Sequence, residues 1–370
     1  MKTKKTKSSM SPEWKPRFIS YSKVQSLLLG YKVVDTYKAQ LRELFAINNP
    51  ALFHSRDFEK LWQKYLADTI ALKPLHETGT WVFYSWSNTI VHVLPEENFF
   101  RVRTARNRNL IITEEQKGFY DAVVGIAGLS IGMSVALALV LAGGAKRLKL
   151  ADPDTIELSN LNRIPVGIGN LGLPKVVAAA RLIYELNPYA EVEIFSDGIT
   201  SKNIADFFGG EHPLTVAVDE MDNLSAKAEL RVVASAKCVP VVMSADCDTN
   251  SVLDVERFDL DRNLPQFHGR LGNNTALSLA GLSKKETGEL IRQHVGAENH
   301  TERMNASLAE IGHELVSWPQ LGGTALQNGV AVAHIIRQIV TGQPVTDSRA
   351  VIALSELLSR KTGTKTKRTR

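Results

Sequence analysis

Cysteine is almost absent from this chain: Cys238 and Cys247 are the only two in 370 residues. Two thiols nine residues apart supply neither a disulfide framework nor the paired spacing of a structural zinc site, so a reduced cytoplasm is the expected setting. Export is not expected either, because the Lys-rich opening MKTKKTKSSMSPEWKPR carries no apolar segment of its own. Charge is absent from Ala122 to Ala145, a run long enough to imitate a membrane span. Gly125, Gly128, Gly132, Gly143 and Gly144 interrupt it, and it parses as a buried strand at 122–127, a glycine turn and an apolar helix at 133–142.

The formal charge of +5 is concentrated at the ends. Residues 1–17 hold six Lys/Arg against one Glu and 360–370 hold six with no acid, which leaves the body at about −6. The composition of these tails predicts solvated, disordered ends; an electrostatic tether for nucleic acid or another anionic partner is the alternative.

Residues 18–100 differ in texture from the remainder of the chain. Helical patterns at 22–29, 37–46 and 57–69 precede GTWVFYSWSNTIVHVL (Gly79 to Leu94), whose aromatic and β-branched residues alternate with polar ones as in a strand or hairpin. This is an α+β domain of unknown role. From Asp121 onward apolar runs alternate with helices, predicting a Rossmann-like, doubly wound, mostly parallel α/β sheet. Its strand candidates are 122–127, 148–151, 191–195, 214–218 and 239–244, with helices at 174–186, 202–208 and 224–236. Beyond lie a strand at 252–260 and helices at 283–294, 306–316 and 323–340. The expected division is a basic tail at 1–17, the N-terminal domain at 18–100, a nucleotide-binding domain at 101–345 and a C-terminal segment at 346–370.

The richest stretch runs from Ala151 to Lys175, ADPDTIELSNLNRIPVGIGNLGLPK. Before it, the turn GIAGLSIG follows a strand and opens a helix, where backbone N–H groups face an anion. Gly128, Ser130 and Gly132 are its candidate ligand contacts, although neither register completes G-x-G-x-x-G. Asp152, 24 residues past Gly128, has the spacing of an acid that accepts hydrogen bonds from ribose hydroxyls. That feature alone fits NAD equally well. Arg163 and Lys175 favour a triphosphate, one as a planar fork and the other as a point charge at a helix start. Within VAVDEMDN (Val216 to Asn223), Asp219 and Asp222 are candidates for Mg²⁺, and Asp222 is preferred; simple capping of the next helix by Asp222 is the alternative.

Taken together, Asp152-x-Asp154-x-x-x-x-x-Asn160-x-x-Arg163, Lys175 and Asp222-Asn223 resemble the ThiF/MoeB adenylyltransferases, the superfamily shared with ubiquitin-activating enzymes. The resemblance covers roughly 103–345, and the block Trp81 to Pro95 is similar to a bacterial branch with an extra N-terminal domain. It implies that Asp152 and Asp154 lie at the ribose, that Asn160, Arg163 and Lys175 handle the phosphates and that Asp222 binds magnesium. Arg106-Asn107-Arg108-Asn109-Leu110 resembles the R-x-x-R-Q-I segment of the family, in which the residue matching Arg108 reaches the ATP of a homodimeric partner. The alternative for Arg108 is a solvated member of a basic cluster. The two zinc-binding CxxC pairs common in the family are missing, so no zinc is expected. No cysteine occupies an obvious crossover loop: Cys238 reads as a buried residue before a strand and Cys247 as structural, which argues against a thioester step.

The implied reaction is ATP- and Mg²⁺-dependent adenylation of a carboxylate with release of pyrophosphate. An ionised carboxylate needs no general base, so alignment and charge compensation by Arg163, Lys175, Asp222 and Arg108 suffice. His92, His268 and His313 read as ordinary structural histidines. Acceptors used by the family include the C-termini of ubiquitin-like and sulfur-carrier proteins; a peptide or a tRNA-linked carboxylate is a further option. An NAD(P)-dependent oxidoreductase and a catalytically silent nucleotide-binding scaffold are the competing readings.

Overall fold

In the computed structural model, residues 14–27, 30–272, 278–279 and 281–354 are described, and most of both basic tails lies outside them. The chain divides into two compact units, Met1–Lys117 with Ala180–Ala190, and Gly118–Ala179 with Glu191–Arg370.

The first unit is a four-stranded sheet with helices. Its elements are β1 (Arg17–Ile19), α1 (Tyr21–Leu27), β2 (Lys32–Asp35), α2 (Tyr37–Asn48), α3 (Phe58–Leu72), β3 (Thr80–Tyr84), β4 (Thr89–Val93) and α4 (Glu96–Arg103). The alternating Gly79 to Leu94 segment forms the antiparallel β3–β4 hairpin, with Asn88 in the left-handed region at its turn. The sheet order is β1-β3-β4-β2, so the hairpin gains β1 on one side and a parallel β2 on the other. Both added strands are too short for alternation to announce them. His92 is fully buried, with ring centroids 4.2 Å from Tyr37 and 4.0 Å from Trp81, and its Nε2 lies 2.7 Å from the Thr78 carbonyl. It is a core residue of this unit.

Helix α5 (Thr113–Asp121) leads into β5 (Val123–Ala127), and the chain continues with α6 (Gly132–Leu141), β6 (Arg147–Ala151), α7 (Lys175–Leu186), β7 (Glu191–Phe195), α8 (Ile204–Phe208), β8 (Val216–Asp219) and α9 (Leu224–Lys237). It ends with β9 (Val241–Cys247), β10 (Asn250–Glu256), α10 (Lys284–Val295), α11 (Glu302–Ala309), α12 (Gly322–Val340) and β11 (Ser348–Ala353). The seven strands stand in the order β11-β10-β9-β8-β5-β6-β7. Five are parallel, while β10 and β11 add an antiparallel edge. The fold is therefore the expected doubly wound α/β sheet. Its connections run from β5 outward to β7 and then return to β8, placing the switch point between the carboxyl ends of β5 and β8.

The uncharged run from Ala122 to Ala145 resolves into β5 and α6, both buried because helices cover the faces of a parallel sheet. Among the described residues no helix is long and apolar enough to cross a membrane.

Three local expectations are corrected. The helix expected at 306–316 is α11, starting four residues earlier, because Thr301 caps it by accepting from the Met304 N–H at 3.1 Å. It stops before Gly312, whose φ of +88° is incompatible with a helix. The strand expected at 252–260 is the shorter, antiparallel β10. Cys238 is exposed rather than buried: it ends α9 with φ +54°, a left-handed terminator where glycine is more usual.

One buried ionic cluster ties β8, α9 and β10 together. Arg231 of α9 is fully buried and donates to Asp219 at 2.5 Å and to Glu256 at 2.6 Å, with the Phe267 ring centroid 4.0 Å from its guanidinium carbon. Lys227 Nζ lies 3.1 Å from the same Asp219 oxygen. Burial pushes the Asp219 carboxyl up, but Lys227 and Arg231 outweigh it and hold the group below its ordinary range. Substituting Arg231→Leu strands the buried Glu256 carboxylate and leaves Asp219 with Lys227 alone, and urea titration is expected to show a loss of about 3–5 kcal/mol.

Candidate functional site

The site is built at the switch point from four chain segments of the second unit. After β5 the chain turns through Gly128 at φ +88°, where a Cβ would lie 2.2 Å from the Glu220 carbonyl oxygen just beyond β8. Only glycine permits the two strand ends to approach so closely. The Glu220 N–H donates to the Ala127 carbonyl at 2.7 Å, closing the same junction.

Asp152, at the end of β6, organises the turn. Its buried carboxylate accepts from the Leu129 N–H at 2.7 Å and from the Asp154 N–H at 2.8 Å. Lys175, opening α7, places Nζ 3.6 Å from Asp152 and 2.8 Å from Asp154. Burial pushes the Asp152 carboxyl up, with Lys175 and the two N–H donors pulling it back. The Asp154 side chain stays two-thirds exposed (66%). Asn160 is buried and folds the 3₁₀ turn Leu158–Asn162, its Oδ1 accepting from the Glu157 N–H at 3.1 Å.

Arg163 comes directly after that turn and reaches back to the glycine segment, Nε donating to Ser130 Oγ at 2.9 Å. Its Nη1 donates to Asn162 Oδ1 at 2.9 Å and to the Ser159 carbonyl at 3.3 Å. Burial draws the guanidinium below its usual value, opposed by the charges of Asp246 and Asp222. Gly132 opens α6 beside these groups. Gly128, Ser130, Gly132, Asp152, Asp154, Asn160, Arg163 and Lys175 thus lie on mutually linked segments.

Of the two carboxylates proposed for a cation, Asp219 is spent on Lys227 and Arg231. Asp222 is exposed, and the helix-capping alternative falls to its neighbour: Asn223 accepts from the Ala226 N–H at 3.0 Å. Among the described residues the Asp222 side chain has no hydrogen-bond or ion-pair partner, a carboxylate free to meet a hydrated cation. No group of three or more His, Cys, Asp or Glu able to hold a metal occurs among the described residues. Arg108 belongs to the first unit, exposed, just after the 3₁₀ turn Ala105–Asn107.

Beside Arg163 and Asp222 opens a cavity of about 390 Å³, reaching Trp318, Ile291 and the β9 residues Ser244 and Asp246. Sequence reasoning missed Glu220, Asp246 and this cavity, since nothing marks Asp246 among other acids until β9 brings it to the site. Asp246 is buried, held by Gln320 at 3.2 Å and by Asn328 of α12. Burial pushes its carboxyl up to about 6, against the pull of Gln320, Arg163 and Asn328. Burial likewise raises Glu220 well above the carboxylate range, with Lys227 and Ser244 opposing. His294, lining the same cavity, is pushed down to about 3, mainly by burial, and so is neutral near pH 7. His268 is instead bound between Asp254 and Asp347, and His313 is exposed in a turn. Cys247 is buried, its thiol pushed up to about 12 by burial and by Asp246, far from thiolate reactivity.

The fold and this junction define a Rossmann-like α/β domain with a polar cluster at its switch point. Residues 104–256 match the model of the ThiF family, and the chain carries a domain of that family. An uncharacterised Mycobacterium tuberculosis protein is 38% identical over 77% of this chain and 39% of its own length. The Saccharomyces cerevisiae tRNA threonylcarbamoyladenosine dehydratase 1 is 26% identical over 42% of this chain and 37% of its own. A Thermus thermophilus sulfur carrier protein adenylyltransferase is 27% identical over 40% and 51%. The chain therefore spans only about two fifths to one half of the length of these relatives.

A raised carboxyl such as Asp246 binds its proton more tightly folded than unfolded, so its contribution to stability is fully present below the unfolded value of 3.8 and is lost as pH rises through about 6. Replacement Asp246→Asn is expected to leave stability unchanged near pH 3.5 and to raise it above pH 6, by on the order of 2–3 kcal/mol, in paired thermal melts.

Proposed function

We propose that the second unit activates a carboxylate with ATP. A carboxylate oxygen attacks the α-phosphorus, the bond from that phosphorus to the bridging oxygen breaks, and pyrophosphate leaves with the electron pair. The products are an acyl-adenylate and pyrophosphate. The observation that carries this reading is the convergence of Arg163 and Lys175 on the glycine turn and on Asp152 and Asp154. A hydride-transfer site needs the turn and the acid but not two cations set where polyphosphate charge gathers. The match of residues 104–256 to the ThiF family and the name of the Thermus relative support the same chemistry.

In this reading the free carboxylate of Asp222 holds Mg²⁺, which supplies charge neutralisation on the phosphates. Asp152 and Asp154 take the ribose hydroxyls, and Lys175 exchanges its carboxylate partners for phosphate oxygens. Asn160 shapes the turn from which Arg163 projects. The N–H groups at the start of α6, with Gly128, Ser130 and Gly132, receive the phosphates. Arg108 serves the ATP of a homodimeric partner. Neither a general base nor a cysteine nucleophile is required, consistent with the neutral His294 and the buried Cys247. The acceptor is a peptide or small protein with a free carboxylate.

Acceptor-dependent ATP–pyrophosphate exchange tests this. Arg163→Ala, Lys175→Ala and Asp222→Ala are each expected to lower exchange by about 10²–10³-fold with the fold intact by circular dichroism. NADH binding with no exchange for any acceptor would replace adenylation with the oxidoreductase reading, and unaltered function of the three variants in cells would favour a silent scaffold.

A further inference from the structure

The cavity beside Arg163 and Asp222 does not include Asp152 or Lys175 in its walls, so it extends the site away from the ribose end. Its volume, about 390 Å³, falls in the range of a small-ligand pocket, roughly 300–1,000 Å³. A folded partner protein does not fit there; a terminal residue with a side chain does. Leu224, Met243, Ile291 and Trp318 give it apolar walls.

Besides Asp222, two carboxyls, Glu220 and Asp246, interrupt those walls. Ser244 and Asp246 lie two residues apart on β9 and hence on one face of the strand. Ser244 holds Glu220 Oε1 through its N–H at 3.0 Å and its hydroxyl at 2.9 Å. The other oxygen, Oε2, is buried with no hydrogen-bond partner, although Glu220 is only 8% exposed and lines the cavity. An orphaned buried carboxyl oxygen costs folding free energy, and a ligand that satisfies it recovers that cost on binding.

We infer that this cavity receives the side chain of the carboxylate-bearing residue of the acceptor, and that it selects a residue with an apolar stem ending in an N–H donor, amide or ammonium, over glycine. The inference rests on the adenylation reading for what enters beside the phosphates. Glu220 and Asp246 accept from the N–H head, while Ile291 and Trp318 flank the stem. The residue is thereby held with its own carboxylate toward Arg163 and Asp222. Glu220 and Asp246 are positioning residues in this scheme.

The probes are tripeptides Ala-Ala-X with a free carboxylate, X being glycine, leucine, glutamine or lysine, titrated calorimetrically into the full chain. The glutamine or lysine peptide is expected to bind at least about tenfold more tightly than the glycine peptide, with leucine between them. Whichever of the two binds more tightly identifies the donor as amide or ammonium. Ile291→Trp, which fills the cavity from α10, is expected to reduce all four to the affinity of the glycine peptide. Glu220→Leu should erase the advantage over leucine alone. Equal binding of the glycine peptide, a side-chain preference that survives Ile291→Trp, or no binding by any of the four overturns the inference. Pyrophosphate exchange with the same peptides separates the two readings: a binding preference without exchange removes adenylation and leaves the pocket standing.

Discussion

The carboxylate of Asp152 is the constraint on which the site depends. One oxygen accepts the Leu129 N–H of the glycine turn, and the other accepts the Asp154 N–H while facing Lys175. Three segments that meet nowhere else in sequence are thereby fixed to the end of β6. Because the group is buried, replacing these partners by water is not open to it, and the turn, the acid pair and the start of α7 move together or not at all.

A second layer supports this junction from behind. Arg231 and Lys227 neutralise Asp219, so β8 can end with a fully buried acid immediately before Glu220 and Asp222. Of three acidic positions within four residues, one is thus structural, one is free in solvent and one is turned into the cavity. Position relative to the sheet, more than residue type, separates their roles. Buried carboxyls such as Asp246 and Glu220 lower stability, a cost that proteins tend to retain where a ligand is bound.

Periodicity makes the sheet legible. Strand β7 has the bounds read from the apolar pattern, and α9 and α12 differ from theirs by a single residue, because long amphipathic segments between turn signals carry a strong local signal. Short elements escape it. Strands β1 and β2 exist only because the hairpin β3–β4 offers them edges, and α11 departs from its apolar pattern because the cap at Thr301 and the stop at Gly312 outweigh it. Cys238 differs from expectation for a similar reason: a left-handed helix terminus turns an apolar residue outward.

Chain order alone groups Asp152, Arg163 and Lys175, since they sit on one continuous segment whose spacing is fixed by the covalent chain. The sequence by itself also determined the doubly wound sheet, through alternating periods of two and 3.6 residues. Packing sets which acids are free and what lies beside Arg163. Asp219, Glu220 and Asp222 are near neighbours in sequence, yet Arg231, Ser244 and solvent set them apart. Asp246 joins them only because β9 lies beside β8 in the sheet, a pairing between distant segments that no local pattern encodes.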